Sequence, residues 1–180
     1  YLGVYEGFGL LGRKTLLGHC IHMNDRELGV MRETGSVAVF CPTSNLFLGS
    51  GLFNKAGLEQ AGVRTAIATD VGGGTNYSML RTLDEGYKVL QLQRQRLHPL
   101  ACFHWITLGN AEALSLQDRI GTLEPGTDAD LVVLNARATQ PMALRMETAE
   151  SLSEELFVLQ TLGDDRAVVE TYAAGKALKS

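Results

Sequence analysis

The sequence predicts an α/β fold in which a parallel sheet with crossover helices is followed by a small β unit. Two observations predict the sheet: short apolar runs alternate with helical patterns over the first two thirds of the chain, and one run is a continuous β-branched and apolar stretch. A third is the change of character after Gln117, where turn-rich connections separate short strands. Alternating strands and helices are typical of parallel sheets, because each crossover connection carries a helix.

The first predicted elements form a strand and a capped helix. Residues 1–11 resemble the last turns of an amphipathic helix, and Thr15–Cys20 is a brief apolar run. Asn24 can cap a helix, with Glu27 at the spacing of a capping box. We expect that helix to end near Gly35.

A second unit begins with the most strongly apolar run. Ser36–Cys41 is continuously apolar and rich in valine, which indicates a strand covered on both faces. Pro42 ends this strand. We expect residues 43–51 to be irregular and residues 52–61 to form a helix.

The third predicted strand spans Arg64–Asp70 and ends at the glycine run Gly72–Gly74, since three glycines cannot continue a strand cheaply. Apolar residues at helical spacing then predict a helix over residues 78–95. Pro99 starts another helix, which we expect to reach Thr107. Both helices are expected to pack against the sheet.

The remaining residues predict a separate small β unit, so we divide the chain into residues 1–117 and 118–180. Short buried strands are predicted at Asp130–Leu134 and Ala167–Tyr172, with a helix near Ser151–Leu162 between them. Each strand is too short to stand alone. We therefore expect them to pair with each other, or with a strand from elsewhere in the protein, in one small sheet.

Composition and charge exclude several classes of function. With 45% hydrophobic and 20% charged residues and a net charge of −4, the chain belongs to the globular class and has no Lys/Arg cluster for nucleic-acid binding. No apolar run approaches the roughly 20 residues that span a bilayer. The three cysteines form no disulfide framework or CxxC motif. We expect a cytoplasmic protein with a small-molecule substrate and neither nucleic-acid nor membrane partners.

Two side chains suited to binding a metal follow predicted strands. His19 ends the first apolar run and Asp70 ends the third. In parallel α/β folds, ligands and catalytic groups gather at this edge of the sheet. Imidazole and carboxylate suit Zn²⁺ or Fe²⁺, and a bound metal lowers the pKa of water to about 7. The pattern alone leaves open whether His19 and Asp70 bind a metal or, as is more common for strand-end residues, cap and hydrogen bond.

His22 competes with His19 for the same role. We prefer His19 because it ends the apolar run directly, whereas His22 lies in the loop before Asn24. Solvated or packing roles are predicted for two other histidines and two cysteines: His98, His104, Cys20 and Cys41.

The glycine run Gly72–Gly74 invites comparison with a phosphate-binding loop. No Lys-Ser/Thr pair follows it, and the GxGxxG pattern is absent, so that interpretation is weak. The glycines can equally leave room for a flat substrate or make a sharp turn.

Several motifs together resemble one enzyme family. Residues 18–22 (Gly-His-Cys-Ile-His), 40–51 (beginning Phe-Cys-Pro-Thr-Ser-Asn) and 68–74 (Ala-Thr-Asp-Val-Gly-Gly-Gly) are similar to the later part of the guanine deaminases of the amidohydrolase superfamily. Residues 121–133 resemble the re-entry into the small β-sandwich of that superfamily. The last motif is generic, but the second and third favour guanine deaminases over related hydrolases. The resemblance covers essentially the whole chain.

The resemblance implies the C-terminal part of a metal-dependent (β/α)₈ barrel, with strands six to eight in residues 1–117, and part of a small β-sandwich domain in residues 118–180. It implies hydrolysis of guanine to xanthine and ammonia, with zinc as the cofactor and iron as the alternative. His19 matches a metal ligand of the sixth strand. Asp70 matches the aspartate of the eighth strand, which binds metal and substrate and accepts a proton from water. Family roles transfer to these two positions alone; Asn45 either lines the pocket or shapes its loop, and we favour the structural role.

Other family residues match nothing in this chain: the His-x-His pair of the first strand, the fifth-strand histidine and acidic residue, and the groups that recognise the purine. The resemblance therefore implies that they lie upstream of Tyr1, in an N-terminal part of the same protein, and that the enzyme is a homodimer. We expect the isolated chain to be inactive. Two alternatives stay open, namely another amidohydrolase acting on a triazine or other aminopurine, and a non-catalytic half-barrel module.

Overall fold

A three-stranded parallel sheet comes first in the computed structural model, which describes residues 1–179. Its strands are β1 (Leu16–Gly18), β2 (Val37–Phe40) and β3 (Arg64–Ile67), in that order across the sheet. All residues of the central strand β2 are buried, as predicted for a strand covered on both faces. The three predicted strands are confirmed, and each is shorter than its apolar run.

Helices precede, connect and follow these strands. They are α1 (Leu2–Gly7), α2 (Asp25–Thr34), α3 (Pro42–Phe47), α4 (Lys55–Gln60), α5 (Met79–Leu92), α6 (Pro99–His104) and α7 (Asn110–Ala113), with a π-helical turn at Trp105–Gly109 between α6 and α7. The capping box predicted for α2 is confirmed. The Asn24 side chain accepts a hydrogen bond from the Glu27 N–H, and the Glu27 carboxylate accepts one from the Asn24 N–H. Gly35 ends the helix in the left-handed conformation, with φ of 70°.

The structure corrects the prediction for residues 43–51, which are not irregular throughout. Pro42 ends β2 and also begins α3, because its fixed φ and missing N–H suit the first position of a helix. The next helix starts later than expected, since the side chain of Asn54 caps it. The helix predicted to end at Thr107 continues through the π-helical turn to Ala113.

The second part of the chain forms one small sheet, as predicted, and its strands pair antiparallel. Its strands are β4 (Leu131–Leu134), β5 (Val168–Ala173) and β6 (Lys176–Ala177), and its helices are α8 (Gln140–Arg145), α9 (Leu152–Leu162) and a 3₁₀ turn at Asp165–Ala167. β4 pairs with β5, with Leu131 opposite Tyr172. Helix α9 packs on α5 and α6, where Leu159 and Leu80 share an apolar cluster. In the described part of the chain, no helix has the length and apolar character needed to cross a membrane.

An aromatic cluster supports the parallel sheet from one side. Phe40 stacks on Phe53 with ring centroids 4.6 Å apart, and Trp105 lies 6.0 Å from the Phe40 ring. Phe40 and Phe53 are fully buried. Because Phe40 is the last residue of β2, this cluster fixes the carboxyl end of the central strand.

Side chains provide hydrogen-bond partners for the backbone groups at the outer edge of β3. The Ile67 N–H donates to Asn110 Oδ1 at 3.1 Å, and Asn110 Nδ2 donates to the Ile67 carbonyl at 3.0 Å. The indole N–H of Trp105 donates to the Thr65 carbonyl at 3.3 Å. The Asn110 amide thus makes the two hydrogen bonds that a neighbouring strand would make to Ile67.

We expect Asn110→Ala to lower the free energy of unfolding by about 1–3 kcal/mol, because it leaves two partly buried backbone groups without partners. Urea denaturation of the full-length protein measures the change. Asn135→Ala is the matched control, since the exposed Asn135 side chain accepts one hydrogen bond, from the Arg137 N–H. An Asn110→Ala loss no larger than that of the control would contradict the strand-like role of Asn110.

Candidate active site

His19 lies directly after β1, at the carboxyl edge of the parallel sheet. Its N–H donates to the Val39 carbonyl at 2.8 Å, which continues the strand ladder by one residue. Its φ is 70° and that of Cys20 is 48°, both in the left-handed region that residues other than glycine rarely adopt. The chain therefore leaves the sheet abruptly here. The His19 side chain is 43% exposed at this edge.

Asp70 lies three residues beyond β3, at the same edge. Its φ is 50°, and the Gly74 N–H donates to its carbonyl to close a tight turn. A Cβ on Gly73 would lie 2.8 Å from Ser44 Oγ and 3.2 Å from Asp70 Oδ2, and one on Gly74 would overlap the Thr69 carbonyl oxygen. Close packing in a sharp turn therefore accounts for these two glycines, which was one of the three roles considered for them.

The structure brings His19 and Asp70 together. His19 Nε2 lies 3.6 Å from Asp70 Oδ2. Zinc binds imidazole nitrogen and carboxylate oxygen at about 2.0–2.2 Å, so a single ion can contact both atoms. This donor set, a nitrogen and an oxygen facing each other at an accessible edge, fits a divalent metal.

Cys41 Sγ completes a cluster in which the three potential ligand atoms lie within 4.8 Å of one another. Burial is the main cause that raises the pKa of the Cys41 thiol to about 11. Metals bind the thiolate, not the thiol. Cys41 is 3% exposed and its Sγ donates to the Val39 carbonyl at 3.6 Å, which agrees with the packing role predicted for it.

Asn45 lies in α3 beneath His19. It is 1% exposed, and its Oδ1 lies 2.7 Å from His19 Nδ1. The sequence favours a structural role for Asn45 but does not reveal its partner. The missing signal was the helix at Pro42. Because β2 lies between β1 and β3, a helix directly after β2 lies next to the residues that follow both neighbouring strands.

The other histidines lie outside this cluster. His22 Nε2 donates to the Ser50 carbonyl at 3.0 Å. His98 caps α6, where its Nδ1 accepts a hydrogen bond from the Leu100 N–H at 3.3 Å. His104 is exposed at the end of α6. Of the two rival histidines, the structure therefore brings His19 to Asp70 and gives His22 a backbone partner.

Exposed apolar side chains lie at the end of α3 and next to Asp70. Phe47 and Leu48 at the end of α3 are 68% and 62% exposed, and Val71, next to Asp70, is 43% exposed. Leu48 Cδ1 lies 3.7 Å from the position that a Cβ on Gly73 would occupy. Apolar surface beside a polar pair is a common feature of pockets for small aromatic molecules.

Comparisons with known proteins identify relatives of this chain. Residues 1–178 match the amidohydrolase family. The chain is 47% identical over 176 residues to guanine deaminase of Escherichia coli strain K12. The aligned region covers 98% of this chain and 40% of that protein. The resemblance predicted from the sequence motifs is confirmed. The chain spans about 40% of the length of this curated relative.

Solved structures agree with the sequence comparison. The structure of E. coli guanine deaminase matches with a TM-score of 0.97 at 46% identity, over 99% of this chain and 42% of that chain. An adenosine deaminase of Xanthomonas campestris with bound zinc matches with a TM-score of 0.82 at 28% identity, over 98% of this chain and 39% of that chain. The arrangement of sheets and helices described above is therefore an arrangement found in these two deaminases.

Proposed function

Because the chain belongs to the amidohydrolase family, we propose that it carries the C-terminal part of a guanine deaminase, which hydrolyses guanine to xanthine and ammonia. One observation carries this proposal: His19 and Asp70, from the ends of two separate strands, face each other at 3.6 Å at the carboxyl edge of the sheet. The 47% identity to E. coli guanine deaminase supports guanine as the substrate.

In this proposal, β1, β2 and β3 are strands six to eight of a (β/α)₈ barrel. Their parallel order, with helices in the connections, supports it. Residues 118–180 contribute to a small β-sandwich. An N-terminal part of the same protein supplies the remaining strands, and the complete enzyme is a homodimer. The free state of Cys20, Cys41 and Cys102 supports a cytoplasmic location.

Zinc is the proposed metal, with iron as the alternative, and His19 Nε2 and Asp70 Oδ2 are the atoms that would hold it. When bound, the metal acts as a Lewis acid that makes water nucleophilic at neutral pH. Two protein ligands are short of the three that catalytic zinc sites usually have. The N-terminal part would therefore supply the others.

Asp70 is the proposed general base and acid. Its carboxylate, 39% exposed, accepts a proton from the water that attacks the ring carbon bearing the exocyclic amine. It then delivers that proton to the amine nitrogen, so that the carbon–nitrogen bond breaks and ammonia leaves. Leu48 and Val71 provide apolar surface next to this carboxylate for a flat ring.

Removing the two rival histidines separately tests the site. We expect His19→Ala in the full-length protein to lower bound zinc and guanine turnover together, because it removes a ligand. His22→Ala is expected to leave both within about twofold, since the His22 ring bonds a backbone carbonyl outside the cluster. Elemental analysis and an ammonia-release assay measure the two quantities. Loss of zinc from the His22 variant alone would show that the wrong histidine has been chosen.

A further inference from the structure

Asn45 contacts the Nδ1 atom of the His19 ring, whereas the other ring nitrogen, Nε2, faces Asp70. The Asn45 side chain is almost completely buried, and its Oδ1 is 2.7 Å from His19 Nδ1. A carbonyl oxygen can only accept a hydrogen bond, so Nδ1 must donate one. In a neutral imidazole, the other nitrogen, Nε2, then carries the lone pair. Nε2 is the nitrogen that faces Asp70 Oδ2 at 3.6 Å.

Backbone hydrogen bonds hold Asn45 in its helix, and a second side chain of that helix contacts the residue before Asp70. The Asn45 N–H donates to the Cys41 carbonyl at 2.9 Å, and the Ser50 N–H donates to the Asn45 carbonyl at 2.9 Å. Thr43 Oγ1, in the same helix, donates to the Thr69 carbonyl at 3.1 Å. Helix α3, which carries Asn45, is thus hydrogen-bonded to the residue before Asp70.

We infer that Asn45 is a positioning residue that holds the His19 imidazole with Nδ1 protonated and with the lone pair of Nε2 directed toward Asp70. Histidines that bind metals usually donate their other ring N–H to a protein oxygen, which fixes the ring orientation and the tautomer. Asn45 supplies that oxygen. The inference deepens the proposed function and rests on it for its consequence, which is tighter metal binding by His19.

The first test is the tautomer of His19 in the full-length protein without added metal. Proton–nitrogen correlation spectra are recorded with ¹⁵N-labelled histidine at about pH 8, above the usual imidazole pKa of about 6.5. The His19 signals are assigned by their loss in His19→Ala. We expect a protonated Nδ1 and an unprotonated Nε2. A His19 ring protonated on Nε2 would overturn the inference, and this measurement needs no variant of Asn45.

The second test is zinc affinity, measured with a competing chelator. Asn45→Leu removes the acceptor, and we expect it to weaken zinc binding about 10–100-fold and to change the His19 tautomer signals. Asn45→Asp keeps an acceptor oxygen for Nδ1–H and is expected to retain the signals and most of the affinity. Ser44→Ala is the matched control, because Ser44 is equally buried in α3 and its Oγ has no hydrogen-bond partner within residues 1–179.

The outcomes separate this inference from the proposed function. Unchanged tautomer signals and zinc affinity in Asn45→Leu would overturn the positioning role even if the protein deaminates guanine. The expected tautomer and affinity changes would support that role even if guanine is not the substrate. Circular dichroism spectra of the variants show whether each remains folded. Should Asn45→Leu not fold, the wild-type spectrum and the Asn45→Asp variant still decide the question.

Discussion

Asp70→Asn is expected to lower guanine turnover by the full-length protein at least about 100-fold, the effect of losing a general base. Asparagine keeps the shape of the side chain and can still occupy the turn closed by the Gly74 N–H, so the fold should remain. It cannot accept a proton from water, and it is a weaker metal ligand than a carboxylate. The loss should therefore appear in kcat, with a reduced zinc content.

Asp165→Asn is the matched control for this prediction, because Asp165 is an exposed aspartate in the 3₁₀ turn of the second part of the chain. We expect its turnover to stay close to that of the wild-type protein. Ammonia release from guanine and elemental analysis, made on the same preparations, give both quantities. Near-normal turnover by Asp70→Asn would remove Asp70 from the proposed chemistry.

Gly74→Ala is expected to cost about 3 kcal/mol or more, the upper end of the range for overpacking. The added methyl would overlap the Thr69 carbonyl oxygen and lie 2.8 Å from Thr43 Oγ1, so the backbone before Asp70 has to move. This loss of stability appears as a lower Tm in thermal unfolding. Turnover should fall with it, because Asp70 is displaced.

Gly29→Ala is the control for a glycine substitution without a clash. Gly29 lies in α2, and an added Cβ there meets no atom within 4 Å. Alanine favours a helix interior over glycine by roughly 0.5–1 kcal/mol, so we expect a small gain in stability. Thermal unfolding of both variants tests the comparison. Equal Tm values for the two would contradict the close packing described for Gly74.

Local sequence signals predicted those parts of the fold that depend on neighbouring residues. The capping box of Asn24 and Glu27 is one example, since both partners lie within four residues. The buried strand β2 is another, because an unbroken apolar run is typical of a strand covered on both faces. The approach of His19 to Asp70 also followed from sequence, because the carboxyl ends of parallel strands meet at one edge of the sheet.

Contacts between distant residues could not be predicted in this way. Asn45 and His19 are 26 positions apart, and their contact depends on helix α3. The sequence predicts an irregular segment there, because proline can end a strand as well as begin a helix. Asn110 and Ile67 are 43 positions apart, and no local pattern reveals that a side-chain amide replaces a neighbouring strand. The left-handed backbone of His19 and Asp70 likewise reflects the tertiary structure, since neither residue type requires it.

The most direct test of the proposed function is the substrate preference of the full-length protein loaded with zinc. Guanine, other aminopurines and an amino-triazine are offered at equal concentration, and released ammonia and the ring product are measured together. We predict that guanine is the preferred substrate and yields equal amounts of xanthine and ammonia, and that removal of the metal with a chelator abolishes the reaction. Full zinc occupancy with no ammonia from guanine, or with ammonia only from a triazine or another aminopurine, would contradict the proposal.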